Sequence, residues 1–395
     1  MVLHAFRALG ERRYRRYFTG QAVSLAGNWV QQVTVAWVVY RMTGSALMLG
    51  MVAFVSQAPY LLLALTGGVL ADRFDRRRLL LQMQWLQGLV AAVLAVLAMS
   101  DALTLSWLLG ASAVLGITAA VEMPVRQAFL SEVLPDRALW PNAIALNSLT
   151  LNGARMVGPL LAGLMLRLIG ESACFAFNAL SFLAAIISLS LIRTSDGVTE
   201  RRRSTLSETL NWLSRTPSAS WLLATVAVTS LCLSPFMTFM PVYARDVFTG
   251  GPDTLGMLMG ASGLGSLVAI VFLAWQHDTG NLRYLIRSAA LIFGATSLLF
   301  AGNTVFIPAL LLLFLCGASI IAIVTSCNIL LQSHLPDELR GRVMSLYVMA
   351  YLGMMPVGSL VTGSLAHWGG VPMTFRVSGV AALVLGGLLY GRKPF

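Results

Sequence analysis

Long apolar runs separated by short polar connections set the rhythm of the chain. Runs long enough to cross hydrocarbon recur at 17–40, 46–71, 79–99, 104–125, 141–167 and 172–193. After one longer polar interruption they resume at 219–243, 255–276, 284–302, 306–332, 343–366 and 373–391. A helix needs about 20 apolar residues to span a bilayer. The pattern therefore predicts an all-α membrane protein of twelve transmembrane helices. The first run follows a basic stretch (Arg7, Arg12, Arg13, Arg15, Arg16), as a signal peptide would. It continues to Tyr40 without a small-residue cleavage site, so it reads as a retained first span.

Composition supports lipid as the solvent. Of 395 residues, 57% are hydrophobic and 11% charged, against about 25% charged in soluble domains. Mean hydropathy is +0.78. The net charge of +11 invites a nucleic-acid reading, but the arginines sit in clusters between apolar runs and no nucleic-acid motif accompanies them. Basic residues gather at the N-terminus, near 72–78, 126–140, 194–217, 277–287 and 333–342, and at the C-terminus. The other side holds little beyond Arg41, Arg167, Arg245 and Arg376. By the positive-inside rule both termini are expected in the cytoplasm. Cys174, Cys232, Cys316 and Cys327 lie in apolar runs without metal-ligand spacing and read as small buried hydrophobes.

The polar interruption divides the chain into 1–193, a linker 194–217 and 218–395. Within the linker, Thr205 and Glu208 have capping-box spacing, and Leu206, Leu210 and Leu213 share one helical face. A short interfacial helix is expected there. The two six-span parts echo each other. Leu134-Pro135-Asp136 recurs as Leu335-Pro336-Asp337, and Gly153, Gly158 and Gly163 recur as Gly353, Gly358 and Gly363. Six spans repeated twice is an arrangement that lets two bundles rock about a site between them.

The connection after the second span reads Gly68-Val69-Leu70-Ala71-Asp72-Arg73-Phe74-Asp75-Arg76-Arg77. It resembles the G-x-L-A-D-R-x-G-R-R loop of the major facilitator superfamily, with Asp75 where that family usually has glycine. The resemblance implies two pseudo-symmetric six-helix bundles and a conformational latch. Asp72 would face the start of the eleventh span, where a helix dipole favours a carboxylate. Arg73 belongs to the same loop. Arg76 would pair with Glu122 on the fourth span. Glu122 and Arg126 have i,i+4 spacing, and Glu122 reads either as that structural partner or as a proton carrier.

Gly153-Ala154-Arg155-Met156-Val157-Gly158-Pro159-Leu160-Leu161-Ala162-Gly163 on the fifth span resembles the antiporter motif of the superfamily's exporters. Small residues allow close helix packing in lipid, and Pro159 permits a bend. Arg155 lies midway along this span, where a charge is costly. It attracts an anionic substrate or couples to a proton site, or else it is tied to backbone carbonyls and to Asn147 and Asn152. Gln21, Ser24, Asn28, Gln31 and Gln32 form a polar stripe on the first span. With Gln57 and Asn328 they are expected to line a cavity, and Asn28, Gln31, Gln32, Gln57, Arg155 and Asn328 are the substrate-binding candidates. A cavity rich in apolar and amide groups suits amphipathic molecules.

Gly27-Asn28-Trp29-Val30-Gln31, Thr43-Gly44-Ser45, Pro124-Val125-Arg126-Gln127 and Asn142-Ala143-Ile144-Ala145-Leu146-Asn147-Ser148 resemble the enterobactin-exporter-like branch (transmembrane secretion effectors). This implies a bacterial inner-membrane efflux antiporter for siderophores, drugs or similar molecules. It would act as a monomer by alternating access, with the substrate near the midplane between spans 1, 4, 7 and 10. No phosphate-cradling G-x-x-x-x-G-K-[ST] occurs, so protons are the expected partner, with no cofactor, metal or nucleic acid. A lipid or lysolipid flippase and an uptake facilitator are rivals on the same fold. A membrane enzyme is disfavoured, since His4, His277, His334 and His367 all fall at or near span ends.

Overall fold

The computed structural model describes residues 7–134, 136–192, 206–276, 280–336 and 339–389, and all regular structure among them is helical. After a 3₁₀ turn at Arg7–Gly10 come α1 Arg12–Thr43, α2 Ala46–Arg73, α3 Arg76–Met99, α4 Leu105–Val133, α5 Trp140–Leu168 and α6 Gly170–Ser190. The short helix α7, Leu206–Arg215, stands where the linker's leucine face predicted one. Then follow α8 Pro217–Val247, α9 Pro252–Trp275, α10 Leu282–Ala301, α11 Phe306–His334, α12 Arg342–Gly369 and α13 Val371–Leu388.

Ten of these helices are long and apolar enough to cross a membrane. Apart from the short α7, the two others are α1, which is 32 residues long and interrupted by its polar stripe, and α2, whose first part Ala46–Leu61 is a shorter apolar helix. Together they give the twelve spans of the hydropathy pattern. Their outward faces stay apolar: Leu89, Val96, Met99, Leu180, Ile187, Leu299 and Ile307 are all exposed. In water such surface would drive aggregation; in hydrocarbon it is the solvated face.

Tertiary contacts group the chain into two units. The first comprises Met1–Gly44, Leu62–Thr199 and Gly250–Gly260; the second comprises Ser45–Leu61, Glu200–Thr249 and Ala261–Phe395. In the first unit, Tyr14, Tyr17, Leu80, Val125, Phe129, Val133, Ala143 and Leu146 pack into one cluster. The Tyr14 hydroxyl donates to the Ala143 carbonyl (3.0 Å), so a buried phenol ties α1 to α5. The first unit also holds a close crossing. A Cβ on Gly163 would lie 2.7 Å from the Pro252 carbonyl and 3.1 Å from the Gly256 Cα. Arg167 pairs with Asp253 (2.6 Å) along the same seam.

In the second unit Phe236, Tyr243, Phe293, Phe300 and Phe375 form an aromatic core, with Tyr243–Phe300 and Phe300–Phe375 centroids at 4.5 and 4.7 Å. It carries its own glycine crossing, Gly50 against Gly363, where a Cβ on Gly50 would meet the Gly363 Cα at 3.0 Å. Gly363 is the repeat counterpart of Gly163. The turns after α5 and α12 repeat too. Gly170 and Gly370 both have positive φ, 85° and 77°, a backbone that side chains resist.

Two helices of the second unit are not regular. α8 contains π turns at Thr229–Leu233 and Tyr243–Val247 around a 3₁₀ stretch, Ser234–Phe239. α12 contains a π turn at Met349–Gly353. A π turn breaks the i→i−4 ladder, and hydroxyls serve the carbonyls there. Ser230 donates to the Tyr351 carbonyl, and Ser378 donates to that of Cys232 at 2.6 Å.

Candidate transport site

The loop after α2 builds a charge network in the first unit. Asp75 caps α3, its carboxylate accepting from the Arg78 backbone N–H at 2.9 Å. The departure from glycine at this position thus has a local purpose, because an N-cap carboxylate satisfies an orphan donor at the helix start. Arg77 reaches α6, donating from Nε to the Leu189 carbonyl (2.9 Å) and from a terminal nitrogen to that of Ser190 (2.7 Å). It satisfies the last carbonyls of α6, which have no intrahelical donor. Arg73 is exposed at the end of α2. The side chains at Gly68 and Asp72 lie outside the described residues.

The expected pairing of Arg76 with Glu122 is corrected. Arg76 pairs with Glu132 at 2.7 Å, both side chains mostly buried. The apolar run ends at Val125, but α4 continues to Val133. Glu132, on the roughly two further turns, stands beside the start of α3, while Glu122 lies ten residues earlier, about 15 Å along the helix. Glu122 is 3% exposed. It accepts from Gln84 Nε2 (2.6 Å) and Gln87 Nε2 (2.7 Å) on α3 and from Arg126 on its own helix. Gln84, Gln87 and Glu132 are the residues that sequence reasoning missed. The two glutamines were detectable as a three-residue polar spacing inside the third apolar run.

Among the substrate-binding candidates, the stripe on α1 is divided. Gln31 is buried and accepts from Asn178 Nδ2 of α6 at 2.7 Å; Asn28 accepts from the same nitrogen at 3.5 Å. A Cβ on Gly27 would lie 2.2 Å from the Ser181 hydroxyl oxygen. This face therefore joins α1 to α6, and Gln31, expected to line a cavity, is instead committed to an interhelical amide bond. Buried amides in lipid need such partners. Gln32 is exposed. Gln57 and Asn328 belong to the second unit; both are half-buried, and Asn328 accepts from Gln332 at 2.6 Å.

Arg155 is half-buried on α5. Its Nε is buried without a hydrogen-bond partner, and no hydrogen bond or ion pair reaches the side chain among the described residues. Asn152, a bland partner suggested by sequence, bonds back to the Ser148 carbonyl (2.8 Å). Pro159, inside the same helix, has no N–H for the carbonyl four residues back, which is that of Arg155. One position thus presents, among the described residues, an uncommitted guanidinium and a carbonyl that lacks its i+4 donor, midway along a span. In the motif around it, Gly158 packs on Trp29 of α1, a Cβ there falling 2.3 Å from Trp29 Cβ, and Gly163 forms the crossing with α9. Gly153 faces open space.

Twelve apolar helices with an internal repeat and charges buried at mid-span define a multi-pass membrane transporter. The family profile described as transmembrane secretion effector matches residues 4–394, and the chain belongs to this family of the major facilitator superfamily. It is 27% identical to the staphyloferrin A transporter of Staphylococcus aureus over 383 residues, covering 95% of this chain and 94% of that one. It is 28% identical to the multidrug efflux pump Tap of Mycolicibacterium fortuitum, covering 91% of each. Among solved structures, the nucleoside transporter NupG aligns with a TM-score of 0.74 at 10% identity, covering 96% of this chain and 98% of that one. A bacterial homologue of the iron transporter ferroportin aligns with a TM-score of 0.72 at 16% identity, over 96% and 98%. At these identities the structures establish the fold alone.

Proposed function

We propose that this transporter exports a small amphipathic molecule bearing an anionic or strongly polar group, in exchange for protons and by alternating access. The observation that carries the reading is Arg155. An arginine at the centre of a membrane helix costs about 2.5–3.5 kcal/mol to insert. With no counter-charge among the described residues, that cost is offset only when the guanidinium meets water or an anionic ligand. The Arg155 carbonyl beside it, which lacks its i+4 donor because of Pro159, offers an acceptor for a hydroxyl or amine on the same ligand. The relatives' activities, staphyloferrin A transport and multidrug efflux, support the same substrate class.

The test is substrate-stimulated proton flux in proteoliposomes, run in both membrane orientations. The panel contains a carboxylate siderophore, a macrolide and a lipophilic cation. Proton movement opposite to substrate, strongest for the carboxylate, is expected. Arg155→Ala should lower carboxylate-driven flux at least tenfold while the protein still reaches the membrane. Full flux in that variant would remove Arg155 from the site. Flux in the same direction as substrate would favour uptake, and dependence on lipid headgroup with no soluble substrate would favour a flippase.

A further inference from the structure

The sparse arginines of one side of the chain are Arg41, Arg167, Arg245 and Arg376. Arg41 and Arg167 are neutralised by Glu171 and Asp253, and Arg245 has an interaction of its own. Arg376 differs: among the described residues, no hydrogen bond or ion pair reaches its side chain. It stands on α13, about 7.5 Å along the axis from Val371 at the helix start. Met373, Arg376, Val377, Val380, Val384 and Leu388 are exposed at three- and four-residue spacing, so they form one stripe along the helix. The opposite face is buried against the second unit and carries Phe375, Ser378, Ala382 and Leu385. An apolar stripe left exposed along a whole span is a face wetted by acyl chains. Arg376 is the one charge on it.

We propose that Arg376 is a phospholipid site, its guanidinium holding the phosphodiester of a lipid whose acyl chains lie along the stripe from Met373 to Leu388. Three observations select that occupant. The protein behind Arg376 supplies no anion. The adjoining Phe375 belongs to the aromatic core, with Tyr243 at 5.2 Å and Phe300 at 4.7 Å. Even the buried Tyr243 hydroxyl, within electrostatic reach of Arg376, makes no bond to it. The depth also fits. Trp368, 88% exposed, closes α12 just before the turn at Gly370, and tryptophan settles at headgroup level. From the second turn of α13 a long arginine side chain can snorkel to that level while its stem stays in hydrocarbon. Finally, the ligand needs an apolar body as well as a charge, since everything exposed below Arg376 on the stripe is aliphatic. A guanidinium matches two phosphate oxygens with two parallel N–H donors, and the phosphodiester is common to zwitterionic and anionic lipids. The site lies on the outward face of one helix, so it is independent of the exported molecule.

The test is native mass spectrometry of the full-length protein released from detergent, titrated with phosphatidylglycerol, phosphatidylcholine or a diacylglycerol of the same chains. The first bound phospholipid of either kind should be held more tightly than diacylglycerol. Arg376→Leu extends the apolar stripe and so should still fold, which size exclusion checks. It should weaken the first phospholipid about tenfold, the loss of one charge-assisted contact, and leave diacylglycerol unchanged. Arg376→Lys keeps the charge without the fork and should fall between the two. Arg41→Gln, at an arginine already paired with an acid, should bind phospholipid as the wild type does. Equal phospholipid affinity in the wild type and Arg376→Leu would overturn the site, as would diacylglycerol binding as tightly as the phospholipids. Glycerol phosphate should not displace the lipid; displacement by that chainless anion would overturn the lipid as occupant and assign Arg376 to a soluble anion.

Discussion

An amide in the lipid interior is stable only with its partner present. Gln31 and Asn178 illustrate this: one bond of 2.7 Å satisfies both, and both are buried. Asn178→Leu should lower thermal stability in detergent, by about 1 kcal/mol at the scale measured for interhelical bonds in membranes. Adding Gln31→Leu should recover part of the loss, because the Gln31 amide is then no longer buried without its donor. A double variant less stable than either single one would show that the amides do more than hold each other. The residue types were legible in the sequence, and so was the polarity of the stripe on α1. Its direction was not, because periodicity places Gln31 and Asn28 on one face without saying which helix that face meets. Arg155 was legible for a different reason: a charge at mid-span stands out in any apolar run. Its lack of a partner among the described residues, by contrast, is a property of the folded helices around it.

At the scale of the element, the antiporter-like motif separates into positions that pack and one that does not. Gly163 meets the backbone of α9 and Gly158 meets Trp29, whereas Gly153 has nothing within 4 Å. Gly163→Leu should therefore abolish transport or expression, since the obstacle is the Pro252 carbonyl and the Gly256 backbone, neither of which can rotate away. Gly153→Ala should behave as wild type, since a methyl there meets open space, and it gains a few tenths of a kcal/mol or more from helix propensity. Fluorescence-detected size exclusion and the proteoliposome assay measure both. Equal damage from the two substitutions would mean that the motif acts through something other than close packing. The spans themselves were readable because length and apolarity alone decide them. The pairing of Arg76 was misread because α4 outruns its apolar stretch, and an amphipathic last turn carries no hydropathy signal. The π turns of α8 and α12 were equally hidden, since they depend on hydroxyls such as Ser230 and Ser378 arriving from elsewhere in the chain.

For the molecule as a whole, the decisive asymmetry is where charge is left uncompensated. The sparse arginines assigned to the outer side include Arg41 and Arg167, and each is paired with an acid, Glu171 at 2.8 Å and Asp253 at 2.6 Å. The opposite ends of the same unit carry Arg12, Arg13 and Arg73, all exposed, and Arg77 spent on helix carbonyls. Topology responds to such lysine and arginine bias near span ends, so both termini are proposed to face the cytoplasm. The four native cysteines give little background, since Cys174, Cys316 and Cys327 are buried and Cys232 is half-buried. Ser100 after α3 and Asp136 after α4 are both exposed and lie at opposite ends of α4. In intact cells, Ser100→Cys should react with an impermeant maleimide, and Asp136→Cys should react only after permeabilisation. The reverse pattern would invert the molecule in the membrane.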